Sequence, residues 1–330
     1  MASRALVTGA TGCVGANVVA ALLDRGYDVR AMRRTTSSLS ALEGLEVEFA
    51  VANVLDPPSL AEAMTGCALL FHVAAISDYW RTSADRIYAV NVEGTRHILN
   101  AAMESGVERV VFTSSLAALG VPDDGALLDE SATFNLPPHR FVYGHSKVLA
   151  EEIVAEAVAD GLDVVIVNPA AVMGARDLNF IGGSFIRESR RGLTWFAPPG
   201  GTNWIDAETL GLGHVLAAEQ GRSGERYILG GENLSFRQLE AIVAEVVDGR
   251  EPLMTMPRWA MRGGAVLIDG FNAVWPGTPH LDGDQARLSC EEIYCTTEKA
   301  ERELGLPIVP FRAAVRRAYQ WYRSQGISLT

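Results

Sequence analysis

The stretch Ala5-Leu6-Val7-Thr8-Gly9-Ala10-Thr11-Gly12-Cys13-Val14-Gly15 decides the fold. A short apolar run ends in a hydroxyl, and three glycines follow at a spacing of three. A helical pattern then begins at once: Val18, Val19, Leu22 and Leu23 share a face before Gly26 ends it. Glycines between a strand and a helix let backbone approach a ligand closely. The helix start adds free N–H donors and partial positive charge. This suits a dinucleotide pyrophosphate. A lone glycine triplet is a weak signal, but here it follows a strand and opens a helix, as the motif requires.

The same alternation continues outward. Apolar, strand-like runs recur at residues 28–32, 47–51, 69–73, 109–113 and 164–167, with helical spacing at 15–25, 57–64, 91–105 and 143–159. Buried strands alternating with helices predict an α/β fold, a doubly wound parallel sheet covered on both faces. The pattern changes at Asn168-Pro169. Glycine and proline then become dense, as in Gly182-Gly183 and Pro198-Pro199-Gly200-Gly201. The reading is a dinucleotide-binding domain over residues 1–168 and a smaller substrate lobe over 169–330. Within the lobe, about 202–232 returns to the main sheet with a strand at 226–229, and helices cover 235–247 and 311–325.

Composition narrows the function. The 330 residues carry a net charge of −12, which argues against nucleic acid or an anionic membrane as partner. The four cysteines, Cys13, Cys67, Cys290 and Cys295, form no CxxC pair and no zinc-spaced cluster, so no metal is expected. Free thiols and the lack of an apolar leader point to a cytoplasmic protein.

The second strand ends Arg30-Ala31-Met32-Arg33-Arg34, with no acid to meet a ribose 2′-hydroxyl. Guanidinium groups at Arg33 and Arg34 suit a 2′-phosphate, so NADP(H) is favoured and NAD(H) is the alternative. Tyr143-Gly144-His145-Ser146-Lys147 places a phenol and an ammonium one turn apart on a helix. A cation beside a phenol favours the phenolate, and the phenol can then exchange a proton with a carbonyl or alcohol oxygen. Thr113-Ser114-Ser115 closes the strand at 109–113, where hydroxyls face the ligand crevice. One of them can hold the substrate oxygen.

These motifs occur in order with Phe71-His72-Val73-Ala74-Ala75, Asn91-Val92-Glu93-Gly94-Thr95, Asn168-Pro169 and Thr297-x-Lys299-Ala300-x-x-x-Leu304-Gly305. Together they resemble the extended short-chain dehydrogenase/reductase family. Within it, the chain is similar to the dihydroflavonol-4-reductase-like and hopanoid-associated sugar-epimerase-like branch. The resemblance implies that Ser115 polarises the substrate oxygen, Tyr143 is the general acid/base, Lys147 tunes it, and Asn91 supports a helix bend or water relay. It places Thr8, Gly9, Thr11, Gly12, Cys13, Val14 and Gly15 along the pyrophosphate. Ala74, Ala75, Thr113, Asn168, Pro169 and Val172 join Tyr143 and Lys147 along the rest of the cofactor. Where the family has an acid facing adenine, this chain has Asn53-Val54, whose amide oxygen can still accept.

The resemblance implies an oxidoreductase reducing an aldehyde or ketone with NADPH, or oxidising the matching alcohol. The alternative is an NAD-dependent sugar epimerase or dehydratase, and a third reading is a non-catalytic NADP sensor. Nucleotide-sugar members carry a cation where this chain has Thr202-Asn203-Trp204-Ile205-Asp206-Ala207-Glu208-Thr209, which has two acids instead. Tyr79, Trp80, Phe141, Phe180, Phe185 and Trp195 are candidates for an apolar wall around an aromatic or alicyclic carbonyl. His72, His139 and His145 read as structural. The family's helix pairing implies a homodimer, with Leu149, Ile153 and Ala157 as outer apolar positions.

Overall fold

The computed structural model describes residues 3–78, 82–123, 125–274 and 282–329. Tyr79 and Trp80 of the expected apolar wall lie outside the described residues. The first half runs β1 (Arg4–Thr8), α1 (Cys13–Asp24), β2 (Asp28–Arg33), β3 (Glu48–Val51), α2 (Pro57–Met64) and β4 (Leu69–His72). It continues with α3 (Ala84–Tyr88), α4 (Gly94–Glu104), β5 (Arg109–Thr113), α5 (Val142–Ala159) and β6 (Val164–Pro169). One π-helical turn, Ala89–Glu93, joins α3 to α4, so the helix expected at 91–105 starts earlier and carries a bulge.

The second half is more broken: β7 (Ala171–Met173), α6 (Ser184–Arg190), β8 (Phe196–Ala197), β9 (Gly201–Asp206), α7 (Ala207–Gln220) and β10 (Arg226–Leu229). Then come β11 (Glu232–Ser235), α8 (Phe236–Val247), β12 (Met254–Thr255) and α9 (Arg258–Val274). Last are α10 (Gly283–Leu288), β13 (Glu292–Ile293), α11 (Glu298–Leu304) and α12 (Phe311–Ser324).

Seven strands form a sheet in the order β10-β6-β5-β4-β1-β2-β3, and every pairing in it is parallel. Parallel strands need crossovers, and helices supply them on both faces. The strands are therefore apolar throughout: Leu6, Leu70, Phe71, Val110, Phe112, Val164 and Val165 are almost fully buried. One apolar cluster packs α1 and α7 on one face, and another packs α2, α4 and α5 on the other. Each large side chain so buried contributes about 2 kcal/mol. Strand order reverses between β1 and β4, and the carboxyl ends there open the crevice where such sheets bind ligands.

Two expectations need correction. Residues 202–206 belong to β9, which pairs with β7, β11 and β13 in a second, smaller sheet. Only α7 and β10 rejoin the main fold. Ile153 and Ala157 are not outer positions either. Both are 5% exposed and pack in the second cluster, because α5 lies against α4 within one chain. Among the described residues, no helix is long and apolar enough to cross a membrane.

Candidate active site

The glycine turn is shaped by what cannot fit beside it. Gly9 has φ 65°, and a Cβ there would lie 2.8 Å from the Ala74 backbone. A Cβ on Gly15 would lie 2.2 Å from the Gly9 carbonyl oxygen. Gly12 caps α1 without any side-chain hydrogen bond, and Ala16 N–H is the first to bond back, to Gly12 O at 2.9 Å. The N–H groups of Cys13, Val14 and Gly15 therefore meet no acceptor among the described residues. Bare donors, a helix N-terminus and a floor without side chains fit a pyrophosphate. The residues present thus suit an NAD(P) cofactor. Thr11 lies part-exposed in the turn. Burial pushes the Cys13 thiol well above its ordinary range, and its Sγ contacts Ala175 O at 3.6 Å.

Thr8 does a different job from the one expected. Its hydroxyl is fully buried and accepts from Val73 N–H and Ala74 N–H, both at 3.1 Å. It also meets His72 Nδ1 at 2.9 Å. On the far side of the ring, His72 Nε2 lies 3.1 Å from Thr95 Oγ1, which donates to Asn91 O at 2.7 Å. Because the Thr95 proton is committed to a carbonyl, Nε2 must be the donor and Nδ1 the acceptor. Burial, aided by the Lys147 charge, holds the His72 pKa down to about 3, so the ring is neutral. This chain ties the turn after β4 to β1 and to the π-helical turn.

Asn91 sits in that π turn, 1% exposed, with every side-chain hydrogen-bonding group engaged. Its Oδ1 accepts from Ile76 N–H at 2.8 Å, and its Nδ2 donates to Ile76 O at 3.0 Å and Ser146 Oγ at 2.9 Å. Ser146 Oγ in turn donates to Tyr143 O at 2.7 Å. The bulge thus pins the loop after β4 to the first turn of α5. Single π turns of this kind gather at functional sites.

The Ser115 hydroxyl stands beside the Tyr143 phenol, close enough to favour its ionised form. Ser115 Oγ also caps the following short helix, accepting from Ala117 N–H at 3.2 Å. Lys147 is 3% exposed, donates to Thr113 O at 2.9 Å and lies 5.2 Å from the Phe112 ring centre. Burial pulls its pKa down to about 8, against the pull of the Glu151 carboxylate. The expected tuning of Tyr143 by Lys147 is not the ruling effect. Burial raises the phenol above its ordinary value, and the Ser115 hydroxyl opposes that rise.

Glu151 escaped the sequence reading, although it follows Lys147 by one helical turn. It is 4% exposed and accepts from Ser114 Oγ and, at 2.9 Å, from Asn168 Nδ2. Arg226 on β10 pairs with it at 2.5 Å. Asn168 Nδ2 also donates to Ser115 O at 3.1 Å, so Asn168 braces the Ser115 backbone. A buried carboxylate is costly unless paired and hydrogen-bonded, and this one is both.

Other expected residues scatter. The Thr113 hydroxyl bonds His214 Nε2 at 3.0 Å, away from the crevice, and only its carbonyl serves Lys147. Asn53 Oδ1 accepts from Leu55 N–H at 3.1 Å, and Val54 is buried against Gly94. Pro169 is buried at the end of β6, whereas Val172 on β7, Ala74 and Ala75 keep some exposure. Arg33 stacks 5.7 Å from the Phe49 ring, and Arg34 is exposed. Neither pairs with a carboxylate among the described residues, whereas Arg30 is spent on Glu48. Among the described members of the expected wall, Phe141 flanks Tyr143, at 6.4 Å between ring centres, backed by Phe134. Phe180 stacks on Tyr322, Phe185 packs on Trp204, and Trp195 is 48% exposed. His145 bonds the Tyr88 hydroxyl at 2.9 Å, and His139 is exposed. Asp206 caps α7 and pairs with Arg317 at 2.6 Å, so this acid is structural.

The NAD dependent epimerase/dehydratase family matches residues 5–230, which includes the glycine turn, Ser115, Tyr143 and Lys147. The chain belongs to that family. Within this epimerase/dehydratase family it lies on the dihydroflavonol-reductase-like branch of the extended short-chain dehydrogenases. It is 36% identical to a putative dihydroflavonol 4-reductase of Synechocystis sp., covering 99% of this chain and 96% of that one. It is 35% identical to sterol demethylase protein B of Methylococcus capsulatus, covering 98% and 99%. A solved nucleoside-diphosphate-sugar epimerase from Pseudomonas aeruginosa superposes with TM-score 0.82 at 26% identity, covering 98% and 99%. As a member of this family, the chain is an NAD(P)-dependent oxidoreductase acting on carbonyl or alcohol groups.

Proposed function

We propose that this chain uses NADPH to reduce an aldehyde or ketone carried on an apolar, ring-bearing molecule. The observation that carries the reading is the Tyr143 phenol standing beside the Ser115 hydroxyl, with the Lys147 ammonium buried one turn behind it. NADPH, when bound, supplies the hydride to the carbonyl carbon. The Tyr143 hydroxyl donates its proton to the carbonyl oxygen as the C=O bond becomes C–OH, and Ser115 holds that oxygen. A phenol raised above its usual pKa is protonated at neutral pH, which supports reduction as the forward direction. Lys147 has three donors, of which Thr113 O takes one, leaving others for the cofactor ribose. Arg33 and Arg34 support the choice of NADPH, being cations at the end of β2 without an acidic partner among the described residues. The names of the dihydroflavonol reductase and sterol demethylase relatives support a fused-ring, largely apolar substrate.

Absorbance at the nicotinamide band with a panel of alicyclic and aromatic ketones tests the reaction. Net consumption of NADPH separates it from an epimerase, which returns its hydride. Tyr143→Phe should lower kcat by roughly 10²–10⁴-fold and leave NADPH affinity unchanged; turnover that persists would refute the role. Arg33→Ala with Arg34→Ala should raise the KM for NADPH roughly tenfold while sparing NADH, a loss of about 1.4 kcal/mol. An equal effect on both cofactors would overturn the NADP preference.

A further inference from the structure

Helix α9 is built inside out. At 3.6 residues per turn, Val266, Trp259, Gly270, Gly263, Val274 and Leu267 fall within an arc of about 100° free of charge. That arc faces solvent: Trp259 is 79% exposed, Leu267 75% and Val274 84%, while Ala265, on the opposite side, is fully buried. Among the described residues, nothing lies within 4 Å of where a Cβ would stand on Gly263 or Gly270. Further exposed apolar side chains stand on the short ribbon just before the helix. There Met254 and Phe196 are cross-strand partners, 48% and 50% exposed. Leu253 and Leu193 beside them are 62% and 60% exposed. Contiguous apolar surface of this kind marks an interaction site.

Charge selects the occupant. Residues 190–197 and 250–274 carry five arginines (Arg190, Arg191, Arg250, Arg258 and Arg262) against two acids, Glu251 and Asp269. The chain as a whole has net charge −12, so this surface runs against the molecule's average. Arg258 and Arg262 line one edge of the α9 arc, sharing Glu291 at 3.9 and 3.2 Å. Arg250 lies 3.3 Å over the Trp195 ring, holding cation and indole together. An anionic lipid surface accepts both the apolar arc and the arginines at its edge.

We propose that α9 and the β8–β12 ribbon seat this protein on the surface of an anionic lipid bilayer. The helix lies in the plane of the headgroups, its Trp259–Leu267–Val274 face immersed and its arginines at phosphate level. The expectation that an anionic membrane is no partner rested on net charge averaged over the whole chain, whereas the proposal rests on one surface of it. The proposal goes beyond the reductase reading and stands apart from it, although such a surface would also collect apolar substrates.

Flotation of the full chain with phosphatidylcholine vesicles, with and without phosphatidylglycerol, tests it. The protein should float with the anionic vesicles, weakly or not at all with neutral ones, and high salt should weaken the binding. Trp259→Ser with Leu267→Asp should cut that binding at least roughly tenfold while thermal unfolding stays unchanged. Three outcomes would overturn the proposal: no flotation with anionic vesicles, undiminished flotation of the variant, or a solution mass that halves in the variant. Flotation without any carbonyl turnover would refute the reductase reading and leave this one standing.

Discussion

Lys147 and Glu151 are one turn apart on α5, and their separation governs how the site responds to pH. Burial works against the ammonium and brings Lys147 to about 8, while the Glu151 carboxylate holds it up. Below that value the ammonium is charged and can serve the cofactor. As pH rises through about 8 the charge is lost. We therefore expect kcat/KM for reduction to be level near neutrality and to fall above about pH 8. Glu151→Gln keeps the shape but removes the charge, so the alkaline limb should move to lower pH. It also leaves Arg226 unmatched, at a cost of about 2 kcal/mol in stability. A pH–rate profile that does not move on this substitution would show that Glu151 only braces Ser114 and Asn168.

At the level of elements, the cofactor turn depends on a close crossing of two helices. α7 lies along α1, and a Cβ on Gly211 would stand 2.3 Å from the Asn17 carbonyl oxygen. Asn17 cannot retreat easily, because its Nδ2 donates to Cys13 O at 2.9 Å and to Ala175 O at 3.1 Å. Gly211→Ala should therefore cost about 1–3 kcal/mol by overpacking and tilt the start of α1 away from the pyrophosphate. Thermal unfolding with and without NADPH checks both parts. A lower melting temperature together with a smaller shift on adding NADPH is expected. An unchanged response to NADPH would mean that α7 does not position the glycine turn.

Across the whole molecule, the second lobe holds a poorly satisfied carboxyl. Glu240 on α8 is 6% exposed, one of its oxygens has no partner among the described residues, and burial raises its pKa to about 7, with Glu188 of α6 adding repulsion. In the unfolded chain the same group titrates at its usual 4.5. Below 4.5 both states are protonated and no penalty exists. Between 4.5 and about 7 the unfolded chain ionises first, so native stability declines as pH rises, and above 7 the loss is complete. Glu240→Gln should thus stabilise the native state little at pH 4.5 and most above pH 7, by about 1–3 kcal/mol, read from denaturant unfolding at each pH. A gain independent of pH would point to packing instead of charge.

Periodicity and the glycine turn were enough to determine the seven-stranded core. A buried parallel strand must be apolar on both faces, and each crossover helix needs one apolar stripe. The Tyr143/Lys147 pair was legible too, because four residues on a helix is a fixed distance whatever surrounds it. Contacts between distant segments had no such local mark. Thr8 meeting His72, Thr113 meeting His214, and Glu151 meeting Asn168 and Arg226 join residues far apart in the chain, on different elements. The aromatic residues show the same limit: composition supplied Phe141, Phe180 and Phe185, and packing sent only Phe141 to the site. The direction of a pKa shift likewise needs burial, which no spacing reports, so Tyr143 rises where its neighbour alone argued for a fall. A local pattern fixes what a segment becomes. Which face it buries, and what charge it meets there, is decided only when the rest of the chain closes over it.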